Sequence, residues 1–316
     1  MSKKKILFKS AVGVSAIASG VTLAVGERIY HATFGIKPQL KADEMELYYS
    51  QSEGYILEKI QKYEQQKFLI ENSRNGYLIE TLHLKSPKES EDVIILVHGI
   101  RSNYHDLLPD AFHYLEEGYN VILYNQRQTG LTGGKDYSFG LYEKVDLDEV
   151  VIIARRLYPK GKLGIHGFSM GAATAAMHVE LNEKSKQVDF YVLDAPYHTL
   201  ESTIDLGLNW KKPVLLPKRY VKWSGDFVLG LKKRIHYRDI EPIRAIAHGT
   251  VPVLIIHGTI DKITDPKGSQ LLYDAIPHEN KKIILFEGDA HCTAHKNRTE
   301  EYFEKIHDFI KEMNLI

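Results

Sequence analysis

Cysteine is almost missing from this chain: Cys292 is the single one in 316 residues. One thiol excludes an internal disulfide, a Cys-rich zinc site and a CxxC redox centre. It does not report the compartment. Net charge is missing as well, with 41 basic and 41 acidic residues, which argues against a nucleic-acid partner held by bulk charge. Neither an internal repeat nor a low-complexity segment occurs. What is present, 43% hydrophobic residues, suffices for one large α/β core with additions.

The charge that does exist is unevenly placed. Lys3, Lys4 and Lys5 precede an uncharged run of apolar and small residues from Ser10 to Gly26. Extended back to Ile6 it reaches membrane-spanning length, with Lys9 close enough to one end to snorkel to the interface. Lysines ahead of such a run predict a cytoplasmic N-terminus and the remainder outside. Two readings compete. One is an uncleaved single-pass anchor contacting the membrane through residues 6–26. The other is a signal peptide cut after Ala24-Val25-Gly26, releasing a secreted product. The A-x-G site is less favoured than A-x-A, so the anchor is preferred. The expected organisation is an anchor over 1–28, a helical lead-in over 29–65 and a main domain over 66–316.

Within the main domain the pattern is regular. Phe68–Ile70 and Tyr77–Leu84 flank Asn75-Gly76, a strong hairpin signal. Val93–Val97, Tyr119–Tyr124 and Phe190–Asp194 are apolar runs of the kind buried on both faces of a parallel sheet. Helical stretches over 107–118 and 144–158 alternate with them, Gly118 stopping the first. The rhythm halts after Pro196 and resumes at Val251–His257 and Lys282–Phe286, before a closing amphipathic helix. The expectation is a doubly wound, mostly parallel sheet, with an insertion over about 197–247 acting as a helical cap at the strands' carboxyl edge.

The chemistry concentrates at Gly167-Phe168-Ser169-Met170-Gly171. An apolar strand precedes this G-x-S-x-G elbow and an Ala-rich helix follows it, the context the motif requires. A serine hydroxyl is a weak nucleophile until a base takes its proton and a third group orients that base. In this fold the order is serine, acid, histidine. Asp261 lies a tight turn beyond one remaining strand, in His257-Gly-Thr-Ile-Asp261, and is the preferred acid; Asp194 is the other candidate. Asp265, before Pro266, reads as a helix N-cap. His291 falls on the loop after the last strand and is the preferred base. His295, four residues on, does not complete an H-E-x-x-H pattern, so no metal is expected. The oxyanion donors expected are the backbone amides of Met170 and Ile100, with His98 ordering the loop.

These pieces together resemble the serine α/β-hydrolases, in particular a bacterial branch that is membrane-anchored or exported. The resemblance rests on His98-Gly-Ile-Arg-Ser-Asn103 (an HGxxxN loop), Tyr137–Leu147, Gly167–Ala173, Asp194-Ala-Pro-Tyr197, His257–Asp261 and Gly288–His291. It implies the α/β-hydrolase fold, catalytic Ser169, Asp261 and His291, an oxyanion hole from Ile100 and Met170, and a supporting loop of His98, Gly99 and Asn103. The expected activity is cleavage of a small ester, thioester or amide through an acyl-serine at the cell surface, without cofactor, metal or nucleic acid. A serine peptidase or aminopeptidase, and a non-catalytic envelope binding protein, are the alternatives. One departure stands out: Asn125-Gln-Arg-Gln-Thr-Gly130 replaces the usual Asp-x-Arg-Gly-x-Gly, with Gln128 in the glycine's place.

Overall fold

A computed structural model describes residues 3–35, 58–210 and 216–315, the side chains of 3–18, 209 and 210 excepted. Eight strands form one sheet: β1 (Gln65–Asn72), β2 (Tyr77–Leu84), β3 (Val93–Val97), β4 (Asn120–Tyr124), β5 (Leu163–Phe168), β6 (Phe190–Asp194), β7 (Val253–Gly258) and β8 (Lys281–Phe286). Their order is β1-β2-β4-β3-β5-β6-β7-β8, parallel from β4 to β8 and antiparallel in the β1–β2 hairpin and its junction with β4. Every strand predicted from the sequence is present.

The period of two in the buried strands divides the core into layers. Ile94, Leu96, Val121, Leu123 and Leu254 face one side, under α2 (Leu108–Glu117) and the last helix, Thr299–Glu312. Ile95, Val97, Ile122, Leu193 and Ile255 face the other, under α3 (Glu143–Leu157) and α4 (Met170–Ser185). Both faces of the sheet are therefore dry, which is why these strands read as unbroken apolar runs. Edge strand β8 is only partly buried and opens with Lys281 and Lys282, a pattern that discourages pairing with another sheet.

Between β6 and β7 the chain leaves the sheet to form α5 (Leu200–Trp210), α6 (Lys218–Lys233), a 3-10 turn (Tyr237–Asp239) and α7 (Pro242–Ile246). This is the expected insertion. It rests on an apolar cluster that joins Leu200, Ile204, Leu229 and Ile235 of the insertion to Met170 and Tyr137 of the main domain. Helices α8 (Pro266–Ala275), α9 (Ala294–Asn297) and α10 (Thr299–Glu312) complete the fold. Asp265 caps α8 as expected, its carboxylate accepting from the Lys267 amide at 3.0 Å.

A single helix, α1, runs from Lys3 to Phe34, so the boundary drawn at residue 28 falls inside it. Its second half packs along α6. The Thr22 and Tyr220 hydroxyls meet at 2.8 Å and Lys232 pairs with Glu27 at 2.9 Å. At the crossing a Cβ on Gly26 would run into the Ser224 carbonyl. Phe34 ends the helix buried, edge-on to Phe139. Among the described residues no helix is long and apolar enough to cross a membrane. The side chains of 6–18, most of the expected span, and the lead-in over 36–57 lie outside the described residues.

Candidate active site

Three loops from the carboxyl ends of β5, β7 and β8 converge at one edge of the sheet. The first is the elbow. Ser169 has φ 55° and ψ −116°, a conformation that costs a non-glycine residue free energy and that persists only when its surroundings enforce it. Here the surroundings are backbone. A Cβ on Gly167 would collide with the Gly171 carbonyl, and one on Gly171 with the carbonyls of Val97 and His98. The Ser169 amide donates to the Asp194 carbonyl at 2.8 Å, which fixes the turn to β6.

The second and third loops supply the partners. His291 Nε2 lies 2.7 Å from Ser169 Oγ, and His291 Nδ1 lies 2.6 Å from Asp261 Oδ2. An ionised carboxylate only accepts, so Nδ1 carries its proton toward Asp261 and Nε2 is left to accept from the serine hydroxyl. Asp261 Oδ1 accepts from the amides of Ile263 and Thr264 at 2.7 and 3.1 Å, while Oδ2 also receives Thr264 Oγ1 at 2.8 Å and His257 Nε2 at 3.0 Å. Burial by itself would push the Asp261 carboxyl up. The hydrogen bonds from His257, His291 and the Ile263 amide hold it well below the usual carboxylate range. The serine and histidine stay partly open to solvent, while the carboxylate is sealed.

The HGxxxN loop lies beside the serine. A Cβ on Gly99 would stand 3.3 Å from Ser169 Cβ and 3.9 Å from its Oγ, so the next amide, that of Ile100, follows directly on a residue touching the serine. Met170 opens α4, and its amide is among the first-turn N–H groups that no helical carbonyl reaches. His98 is fully buried. Its Nδ1 donates to the Gly99 carbonyl at 2.7 Å, and its Nε2 accepts from the Gln126 amide at 2.9 Å. Burial pushes its pKa down to about 4, which suits a neutral ring ordering the loop. Asn103 caps the following 3-10 turn (Tyr104–Leu107), its carbonyl oxygen accepting from the His105 amide at 2.8 Å. Gln128 takes φ 64°, the left-handed region that a glycine there would adopt without strain.

The other candidates go elsewhere. Asp194 Oδ2 accepts from the Tyr302 hydroxyl at 2.9 Å, and burial pushes its carboxyl up. His295 turns to Asp110 at 2.7 Å. A groove of about 690 Å³ opens on the cap between α5 and α6, lined by Lys218, Lys222, Trp223 and Asp226 among others, but none of Ser169, Asp261 and His291 borders it. From sequence His257 reads as a structural histidine, and Thr264 is not singled out. The signal was there in the spacing, since His257 stands four residues before Asp261 across a tight turn.

Comparison with known proteins gives the family and the fold. A family model described as "Serine aminopeptidase, S33" matches residues 88–248 and 243–297. The uncharacterized protein YqkD of Bacillus subtilis is 29% identical over 313 residues, 98% of each chain. The uncharacterized membrane protein YNL320W of Saccharomyces cerevisiae is 25% identical over 245 residues, 75% of this chain and 77% of its own. Among solved structures, the Pyrococcus furiosus esterase Pf2001 superposes with a TM-score of 0.65 at 24% identity, covering 81% of this chain and 95% of its own. The chain is an α/β-hydrolase enzyme and belongs to the Hydrolase_4 family, serine aminopeptidase S33.

Proposed function

We propose that this enzyme is a serine hydrolase of the carboxylesterase type. Ser169 Oγ attacks the carbonyl carbon of an ester as His291 Nε2 takes its proton. The amides of Ile100 and Met170 hold the oxyanion, and Asp261 keeps the imidazole oriented and stabilises its charged form. The protonated His291 gives its proton to the departing alcohol, leaving an acyl-serine. Water, deprotonated by the same ring, then releases the acid and restores the hydroxyl. The observation that carries this reading is the continuous hydrogen-bonded line of 2.7 and 2.6 Å from Ser169 through His291 to Asp261.

The family description favours a second reading, cleavage of an aminoacyl amide. A panel of p-nitrophenyl esters of graded chain length set against aminoacyl p-nitroanilides separates the two. Ser169→Ala is expected to lose about four orders of magnitude or more on the better substrate; a variant retaining the parent rate contradicts the assignment.

The enzyme's location is part of the same proposal. The lysine-led apolar stretch 6–26 anchors the chain with the hydrolase domain outside the cell, and the full-length likeness to the Bacillus subtilis protein supports a bacterial branch. On α6, the helix α1 packs along, Trp223, Phe227 and Leu231 recur every four residues and are 55%, 41% and 63% exposed. Lys218 and Arg219 stand at the start of the same helix. An exposed apolar stripe with basic flanks fits a helix resting on anionic lipid. The full-length chain is expected to float with phosphatidylglycerol vesicles; full recovery in the soluble fraction contradicts the anchor.

A further inference from the structure

We infer that His257 is a positioning residue, a second imidazole that holds the carboxylate of Asp261 from the side opposite His291 and so sets how strongly that carboxylate grips the proton on His291. This rests on the serine-hydrolase reading above.

Three observations carry it. Asp261 Oδ2 lies 3.0 Å from His257 Nε2 and 2.6 Å from His291 Nδ1, so one oxygen is shared by two rings. His257 is fully buried at the end of β7, and its other nitrogen lies 2.6 Å from the Ser269 hydroxyl on α8, which fixes the ring plane from behind. Five donors converge on one carboxylate: two imidazoles, the Thr264 hydroxyl and the amides of Ile263 and Thr264. An orienting role for Asp261 requires only that its oxygen face His291. The additional buried donor does something else, because a hydrogen bond to an anion lowers its basicity. A less basic Asp261 stabilises imidazolium on His291 less, which keeps Nε2 free to accept the serine proton at lower pH.

The titratable and charged groups facing this pair are Asp261 on the same loop, Asp194 at the end of β6, and Cys292 and His295 beyond His291. Ser269 and Thr264 add neutral hydroxyls.

The test is the pH profile of kcat/KM for a p-nitrophenyl ester, using the full-length enzyme, His257→Leu and His257→Gln. Leucine removes the donor, and the acid limb is expected to move to higher pH by about half a unit or more. Glutamine can place an N–H near the Nε2 position, and the limb is expected to return toward the parent. If both variants slow the enzyme with the limb unmoved, His257 only fills space and the inference falls. A Ser169→Ala arm runs alongside: parental activity there would sink the serine reading itself rather than the role of His257. Should the leucine variant not fold, long-range ¹H–¹⁵N spectra of the parent decide. The proton of His257 is expected on Nε2; a proton on Nδ1 alone would leave nothing to donate to Asp261 and would overturn the inference.

Discussion

The loops at the carboxyl edge of the sheet and the cap beside them are built by different means. The edge is fixed by backbone. Gly167 and Gly171 leave no room for a side chain, Ser169 is held in a strained conformation, and Asp261 is held by five hydrogen bonds. The cap is fixed mainly by side-chain packing, with one close backbone approach at Gly26. Its helices meet the main domain through an apolar cluster and meet α1 through Gly26, Thr22 and Glu27. The candidate catalytic residues thus sit where geometry has least freedom, and the cap sits where packing can be exchanged.

The widest contrast between the two regions is in rate. The loss of about four orders of magnitude expected for Ser169→Ala should have no counterpart on the cap. A cap substitution that abolished turnover of a small acetate ester would break the comparison.

Acid should sharpen it through stability. Burial pushes the pKa of His98 and of His105, near the loop after β3, down to about 4, and lowers His166 and His178 as well. Between about pH 6.5 and 4 the unfolded chain takes up protons that the folded chain refuses, so stability falls as pH falls. Each such group contributes about 1.4 kcal/mol per pH unit. Asp146, pushed up to about 6, works in the opposite direction below that pH, as its folded form takes up a proton earlier. Asp194, also raised by burial, adds to Asp146, but the lowered histidines outnumber both, and urea unfolding at pH 7.5, 6 and 5 should show a net decline. A flat or rising free energy would contradict the buried, neutral rings.

The smallest effect is expected at the contact of α1 with the cap. Leucine at Gly26 would press on the Ser224 carbonyl and Val228 and should cost about 1–3 kcal/mol of stability. Turnover of small esters should stay within a few-fold. Thermal unfolding and kcat on the same sample check both. An unchanged melting temperature would mean that α1 does not pack on α6.

Most of the edge was legible from sequence because its constraints are local. Val93–Val97 and Phe190–Asp194 are short, apolar runs of the kind buried on both faces of a sheet, and the elbow glycines mark a turn that leaves no room for a side chain. That Asp261 and His291 meet beside Ser169 is legible because each ends a strand, in the order the fold imposes. His257 reads from sequence as a structural histidine because its spacing puts it near Asp261 without showing that its ring turns to the carboxylate. The packing of α1 on α6 was equally silent. It depends on small residues, Gly26 against Ser224 and Gly225 against Ile29, on segments nearly two hundred positions apart.

The most direct test of the account is intact-mass and peptide-mass analysis of the enzyme after brief treatment with a fluorophosphonate at neutral pH. One phosphonyl adduct on Ser169, absent from His291→Ala, is predicted. No adduct, or an adduct on another residue with Ser169 unmodified and hydrolysis lost, would contradict it.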